Sequence, residues 1–196
     1  MSSVSKRDRI VSATVDLLLD DGLLSAQTRA VTERAGVGTG LLNHYFRWPD
    51  LRAAAWTRIF DGVAADMRRD GEGPTEALER FFAESFAEAA RPLWRLWIEA
   101  EGLAVQDPPM ALAVASARTG LRNRLTAILG EGVEQGEWML TSPRATALRL
   151  EAMRDGLAGL LLADDPELDA AAASDLLRTA FRQETALSRY NIHGED

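Results

Sequence analysis

Stretches of helical periodicity alternate along the chain with short polar breaks, and glycine and proline mark where each break falls. From Lys6 to Asp21, Ile10, Ala13, Leu17 and Leu18 recur at the three- and four-residue spacing that lines one helical face, and Gly22 ends the run. Thr28–Ala35 reads as a short second helix, with Val31 and Ala35 four apart. Gly36 then supplies the left-handed backbone that ends a helix cheaply, Val37 packs inward from the turn, and Gly38 stands where the next helix needs an N-cap. A third helix is expected over Thr39–Tyr45. In it Leu42 and Phe46 face the core, while Thr39, Gly40, Asn43 and His44 face outward.

Proline sets the later starts. Pro49 suits a first turn, Asp50 beside it complements the helix dipole, and a long helix is expected to pass Phe60 and reach about Arg69. After the break at Asp70–Pro74, Thr75 heads a run with Leu78, Phe81, Phe82, Ser85 and Phe86 on one side. Pro92 opens a helix carrying Leu93, Trp94, Trp97, Ile98 and Glu101, which closes at Asp107–Pro109. Another runs to about Gln135, an eighth from Pro143 to near Pro166, and a ninth from about Glu167 to Leu187. Strand signals are nearly absent, and there is no repeat or low-complexity linker. The pattern predicts an all-α fold of about nine helices, three short and six mostly longer.

Composition narrows the chemistry. The 196 residues can bury a sizeable core, and 46% hydrophobic with 27% charged residues is ordinary for a folded protein. Without Cys, disulfides and thiolate metal sites are excluded. The two histidines, His44 and His193, lie far apart in sequence, so neither a zinc cluster nor a nucleophile with an evident base is expected. Gly36, Gly38 and Gly40 do not make a nucleotide loop, since Leu41 breaks the spacing and no strand precedes them. The acid pairs Glu99 with Glu101 and Asp164 with Asp165 read as helix surface and loop. The expectation is a non-enzyme with no cofactor. No apolar run approaches a membrane span and the start has no signal-peptide core, so a cytoplasmic protein without membrane contact is expected.

Net charge is −8, which by itself argues against a nucleic-acid partner. Its distribution does not. Residues 1–60 hold eight Lys or Arg (Lys6, Arg7, Arg9, Arg29, Arg34, Arg47, Arg52, Arg58) against six acids, a net +2, which leaves −10 on the remainder. A mildly basic head on an acidic body is what results when only the head meets phosphate. The outward set of the third helix fits that use. Asn pairs with an adenine edge, Thr contacts base or phosphate, Gly admits close backbone approach, and Tyr45 can donate its hydroxyl to a phosphate. Residues 35–46 are therefore either the turn and recognition helix of a DNA-binding helix-turn-helix or an ordinary helical hairpin. The rival classes are an all-helical small-molecule-binding or interaction protein, or an enzyme, without DNA binding.

Arg9, Ile10, Gly22, the stretch Val31–Val37, Gly40, Leu42, Phe46 and Leu51 resemble the N-terminal signature of TetR-type transcriptional regulators. Within that family, His44–Phe46 and Asp155–Leu157 look most like the branch of choline-responsive BetI repressors. The resemblance implies a three-helix DNA-binding head over residues 1–48 and a larger helical domain over 49–196 for ligand binding and dimerisation. It implies a cytoplasmic homodimer that binds a palindromic double-stranded operator as a repressor and releases it when a small molecule enters the C-terminal domain. It also implies residue roles: Thr28 on phosphate; Arg29 on guanine; Thr39, Gly40 and Asn43 on bases; Leu41 on a thymine methyl; His44 and Tyr45 on the backbone. Three positions depart from the pattern. Thr32 replaces the usual Ala, and its hydroxyl must find an acceptor such as a preceding carbonyl. Gln27 replaces a common Thr. The segment from Phe46 to Leu51 is one residue short and puts Pro49 where a phosphate-binding Lys is expected, leaving Arg47 or Arg52 as substitutes.

In the body, Trp94, Trp97 and Glu101 share one helical face. Two indoles and a carboxylate either recognise a cationic amine of the choline or polyamine kind, or are ordinary core with a solvated acid. Trp56, Phe81, Phe82, Phe86 and Trp138 are further candidates to line such a site. The eighth and ninth helices offer a dimer seam through Leu148, Met153, Leu157, Leu160 and Leu161 with small Gly156 and Gly159, and through Leu176, Leu177, Ala180 and Phe181. The same leucines could equally be buried within one chain.

Overall fold

The computed structural model describes the backbone of residues 5–193 and the side chains of residues 5–186. Among the described residues are nine α-helices and no strand: α1 (Lys6–Asp21), α2 (Thr28–Ala35), α3 (Thr39–Tyr45), α4 (Trp48–Asp66), α5 (Pro74–Glu84), α6 (Arg91–Ala104), α7 (Pro108–Glu134), α8 (Pro143–Leu162) and α9 (Ala170–His193). None of them is long and apolar enough to cross a membrane. The helices form two compact units. The first joins the chain up to Val63 with Pro92–Arg118, and the second joins Ala64–Arg91 with the chain from Thr119 onward. This grouping differs from a cut after residue 48, because α6 and the first part of α7 complete the core that α1–α4 begin.

In the first unit, Ile10, Leu18, Leu23, Val31, Leu42 and Leu51 are fully buried, as the periodicity of α1–α4 requires. Trp56 on α4 is also fully buried and donates its Nε1–H to the carbonyl of Leu96, 3.1 Å away on α6. Its ring lies tilted against Phe60 and Trp97, with centroids 4.2 and 5.5 Å away. Beside it, Arg52 Nη2 contacts Asp107 Oδ2 at 2.5 Å, while Asp107 Oδ1 accepts the Met110 N–H at 3.0 Å and so caps the first turn of α7.

In the second unit, a hub at Arg80 shapes the turn between α4 and α5. Its Nε donates to Glu72 Oε1 at 2.7 Å, and its Nη2 donates to the backbone carbonyl of Asp66 at 2.7 Å. Glu72 Oε2 in turn accepts the Arg69 N–H at 3.0 Å. These bonds draw the backbone away from helical geometry, so α4 stops at Asp66 rather than at Arg69. Further on, Asp165 accepts the Glu167 N–H and Asp169 caps Ala172, which delays the start of α9 to Ala170. Leu78, Phe82, Leu125, Leu129, Leu150 and Leu177 make the core of this unit. Trp138 closes one side, donating its indole N–H to the Leu129 carbonyl at 2.9 Å and meeting Phe181 edge-on at 5.3 Å.

Two measurable consequences follow from this packing. A Cβ at Gly132 would run into the Trp138 ring, so Gly132→Ala must displace the indole. The substitution is expected to cost about 1–3 kcal/mol in denaturant unfolding and to shift Trp138 emission toward that of an exposed indole. Hydrogen bonds from Arg80 and from the Arg69 backbone hold the Glu72 carboxyl at about 2, below its ordinary 4.5. A depressed carboxylate stabilises the fold above its unfolded value and loses that contribution as pH falls through the folded one. Glu72→Gln should therefore be less stable than the parent at neutral pH, with melting curves that converge between pH 4.5 and 2. A gap independent of pH would contradict this role.

Candidate DNA-binding surface and effector site

The turn between α2 and α3 is built from backbone alone. Gly36 is left-handed at φ 63°, its N–H donates to the Glu33 carbonyl, and the Val37 N–H donates to the Thr32 carbonyl at 3.0 Å. This is a Schellman closure, and it satisfies the last carbonyls of α2. Gly38, in extended conformation, accepts from the N–H groups of Leu41 and Leu42 and so starts α3. Thr32 is buried and donates its hydroxyl to the Arg29 carbonyl at 2.8 Å, which accommodates the polar atom at a position where Ala would need no partner.

Leu42 and Phe46 pin α3 to the core, with the Arg7 guanidinium 5.0 Å from the Phe46 ring. The opposite face is open. Thr39, Gly40, Asn43, His44 and Tyr45 are exposed, and Leu41 is half-buried at the edge. Among the described residues, the Thr39 and Asn43 side chains take part in no hydrogen bond. At the start of α2, Thr28 is half-buried and Arg29 exposed, and Gln27 makes no capping bond, so the first N–H groups of α2 remain available to an acceptor. Arg29 Nε rests on Glu33 Oε1 at 2.9 Å, and that hydrogen bond raises the pKa of the guanidinium. An exposed pair of this kind is readily exchanged for a stronger anion. Of the two candidates to replace the Lys missing at Pro49, Arg52 is already committed to buried Asp107, whereas Arg47 is exposed.

On α6, Trp97 is 4% exposed and meets Trp56 and Phe60, the latter edge-on at 5.1 Å. Trp94 is half-buried. Glu101 is half-exposed and ion-paired with Arg118 of α7, whose guanidinium lies 5.5 Å from the Trp97 ring. Trp94, Trp97 and Glu101 thus belong to the first unit, as does Trp56; Phe81, Phe82, Phe86 and Trp138 are buried in the second. Sequence spacing could not reveal Arg118, which reaches Glu101 from another helix. Nor did it reveal Glu99, whose Oε2 accepts the Leu23 N–H at 2.6 Å in the turn after α1.

The proposed seam sorts into two sets. Leu177 is fully buried and Leu157 nearly so, inside the second unit, so neither has surface left for a partner; their apolar faces are spent on the contacts of α8 and α9 with their own chain. Leu161 and Phe181 are half-buried. Among the described residues of these helices, Leu148, Leu160 and Leu176 are the exposed large apolar ones.

A short helix pinned by two apolar anchors, entered through a tight glycine turn and presenting an open polar face, defines a helix-turn-helix protein. Comparison with known proteins agrees. The family description "Bacterial regulatory proteins, tetR family" matches residues 10–47, and "BetI-type transcriptional repressor, C-terminal" matches residues 74–186. The chain belongs to the TetR family of bacterial regulators, in the branch with a BetI-type C-terminal region. It is 24% identical over 113 residues to the HTH-type transcriptional regulator BetI 1 of Chromohalobacter salexigens, covering 54% of this chain and 55% of that protein. With the regulator BetI of Paraburkholderia phytofirmans it shares 24% identity over 163 residues, 78% of this chain and 79% of the other. Among solved structures, a TetR-family regulator from Rhodococcus sp. superposes with a TM-score of 0.75 at 23% identity, covering 92% of this chain and 98% of that one. A transcriptional regulator of Saccharomonospora viridis in complex with choline gives 0.72 at 16% identity, covering 88% and 93%.

The Arg52–Asp107 pair can be broken by a single substitution. Asp107→Ala removes a helix cap and leaves a mostly buried guanidinium without its counter-charge. It should destabilise the protein by about 3–5 kcal/mol in urea unfolding, while Arg47→Ala leaves stability within about 0.5 kcal/mol.

Proposed function

We propose that the protein is a dimeric repressor whose α3 reads a palindromic operator and whose C-terminal region takes a small cationic amine that lowers operator affinity. The observation that carries the first half is the face of α3, where Thr39 and Asn43 are exposed and unengaged while Leu42 and Phe46 hold the helix rigidly from behind. Rigid placement is what turns a polar surface into base readout. In this reading residues 1–48 form the DNA-reading head. Asn43 and Thr39 meet base edges, Gly40 admits close backbone approach and Leu41 meets a thymine methyl. Arg29 exchanges Glu33 for guanine, and Thr28, His44, Tyr45 and Arg47 contact the sugar-phosphate backbone. Two heads bind half-sites about 34–36 Å apart or at another fixed spacing. The exposed Leu148, Leu160 and Leu176, with Leu161 and Phe181 beside them, supply apolar surface for pairing two copies through α8 and α9.

For the effector, support comes from the aromatic and acidic face of α6 and from the choline held by the Saccharomonospora viridis regulator. Aromatic faces attract alkylammonium groups, and a carboxylate completes the pairing. A ligand shifts the equilibrium only through differential affinity for the DNA-competent and released states.

Gel shifts on the promoter region beside the gene test the reading. Asn43→Ala and Arg29→Ala are each expected to weaken specific binding about 5- to 100-fold. Arg47→Ala should instead weaken all sequences alike and lower the salt slope by about one. No shift with the parent protein, or shifts unchanged in both base-contact variants, would sink the assignment.

A further inference from the structure

Trp97 and Glu101 already hold a cation. The Arg118 guanidinium is ion-paired with the Glu101 carboxylate and lies 5.5 Å from the centroid of the Trp97 ring, which is the arrangement an ammonium ligand would seek. Trp97 is otherwise enclosed by Trp56 and Phe60, and its indole Nε1 is buried without a hydrogen-bond partner. Arg118 and Glu101 are 40% and 39% exposed, so this pair faces water on one side and is open to exchange with a dissolved cation.

We propose that Arg118 is a built-in competitor of the effector: it occupies the Trp97–Glu101 site when no ligand is present and is displaced by a small ammonium compound that carries a hydrogen-bond acceptor. The inference rests on the cationic-amine reading of α6 given above. The ammonium takes the Glu101 carboxylate and the Trp97 face, and the acceptor answers the unsatisfied indole N–H. Displacement also cuts a tie between α6 and α7, so occupancy is exchanged for a change in how these two helices are held. Self-competition sets a threshold, because the effector must outbid a side chain that is always at hand.

The test is calorimetric titration of the full-length protein with choline and with tetramethylammonium, which has the charge without the acceptor. Arg118→Gln removes the competing charge and should bind choline about tenfold more tightly than the parent. Arg118→Lys keeps the charge and should stay within about threefold of the parent, and Glu101→Gln should bind more weakly. Choline should exceed tetramethylammonium in every variant that binds. In the unmodified protein, the Arg118 Nε–H resonance should move as choline saturates, a readout that does not depend on any variant folding. Parent binding with Arg118→Gln equal or weaker, or an Arg118 signal unmoved at saturation, overturns the competitor role and leaves the cationic-amine reading standing. Silence in all four proteins overturns both.

Discussion

The first unit depends on the burial of one indole. Trp56 has no exposed surface, and a buried indole N–H must find an acceptor or destabilise the fold. It finds the carbonyl of Leu96, on a helix 40 residues away in the chain. That bond, with the Trp97 ring packed against Trp56 and Phe60, fastens α4 to α6. An ion pair and a hydrogen bond add further ties: Arg52 reaches Asp107 at the head of α7, and Glu99 accepts the backbone N–H of Leu23 in the turn after α1. The helix-turn-helix is therefore not closed by its own three helices. Its support includes a helix that sequence order would assign to the body.

This arrangement bears on regulation because α6 faces two ways. Residues 97 and 99 are about 200° apart around a helix, so Trp97 and Glu99 point to opposite sides. One side meets the aromatic cluster and the Arg118–Glu101 pair. The other meets the turn that leads into α2. In the proposed regulator, a ligand that alters the seat of α6 on one side acts on the support of the reading head on the other, within one packed unit. Differential contact with the two states is the thermodynamic requirement, and the two-sided helix offers a short physical route to meet it.

Most of the fold was legible in the sequence because punctuation residues coincide with helix ends. Gly22 and Gly36 close α1 and α2, Pro74 and Pro143 open α5 and α8, and the spacing of Ile10, Leu17, Leu42 and Phe46 identified the buried faces. The open face of α3 followed from the same periodicity. What failed to show was set by contacts distant in sequence. The early end of α4 depends on Arg80, fourteen residues beyond Asp66. The loss of Arg52 as a phosphate contact depends on Asp107. Leu157 and Leu177 looked like seam residues because an apolar face carries no label for inside or outside, and packing alone put them inside. The ion pair of Glu101 was hidden for a related reason: its partner Arg118 comes from another helix.

In the proposed regulator, α3 reads a specific duplex sequence as one of a symmetric pair. Selection of bound duplexes from a random pool tests it most directly. A symmetric pair of reading helices should enrich one palindromic sequence, with half-sites at a fixed spacing near a helical turn or a multiple of it. Retention of unrelated sequences in proportion to their abundance, or no retention above background, would contradict it.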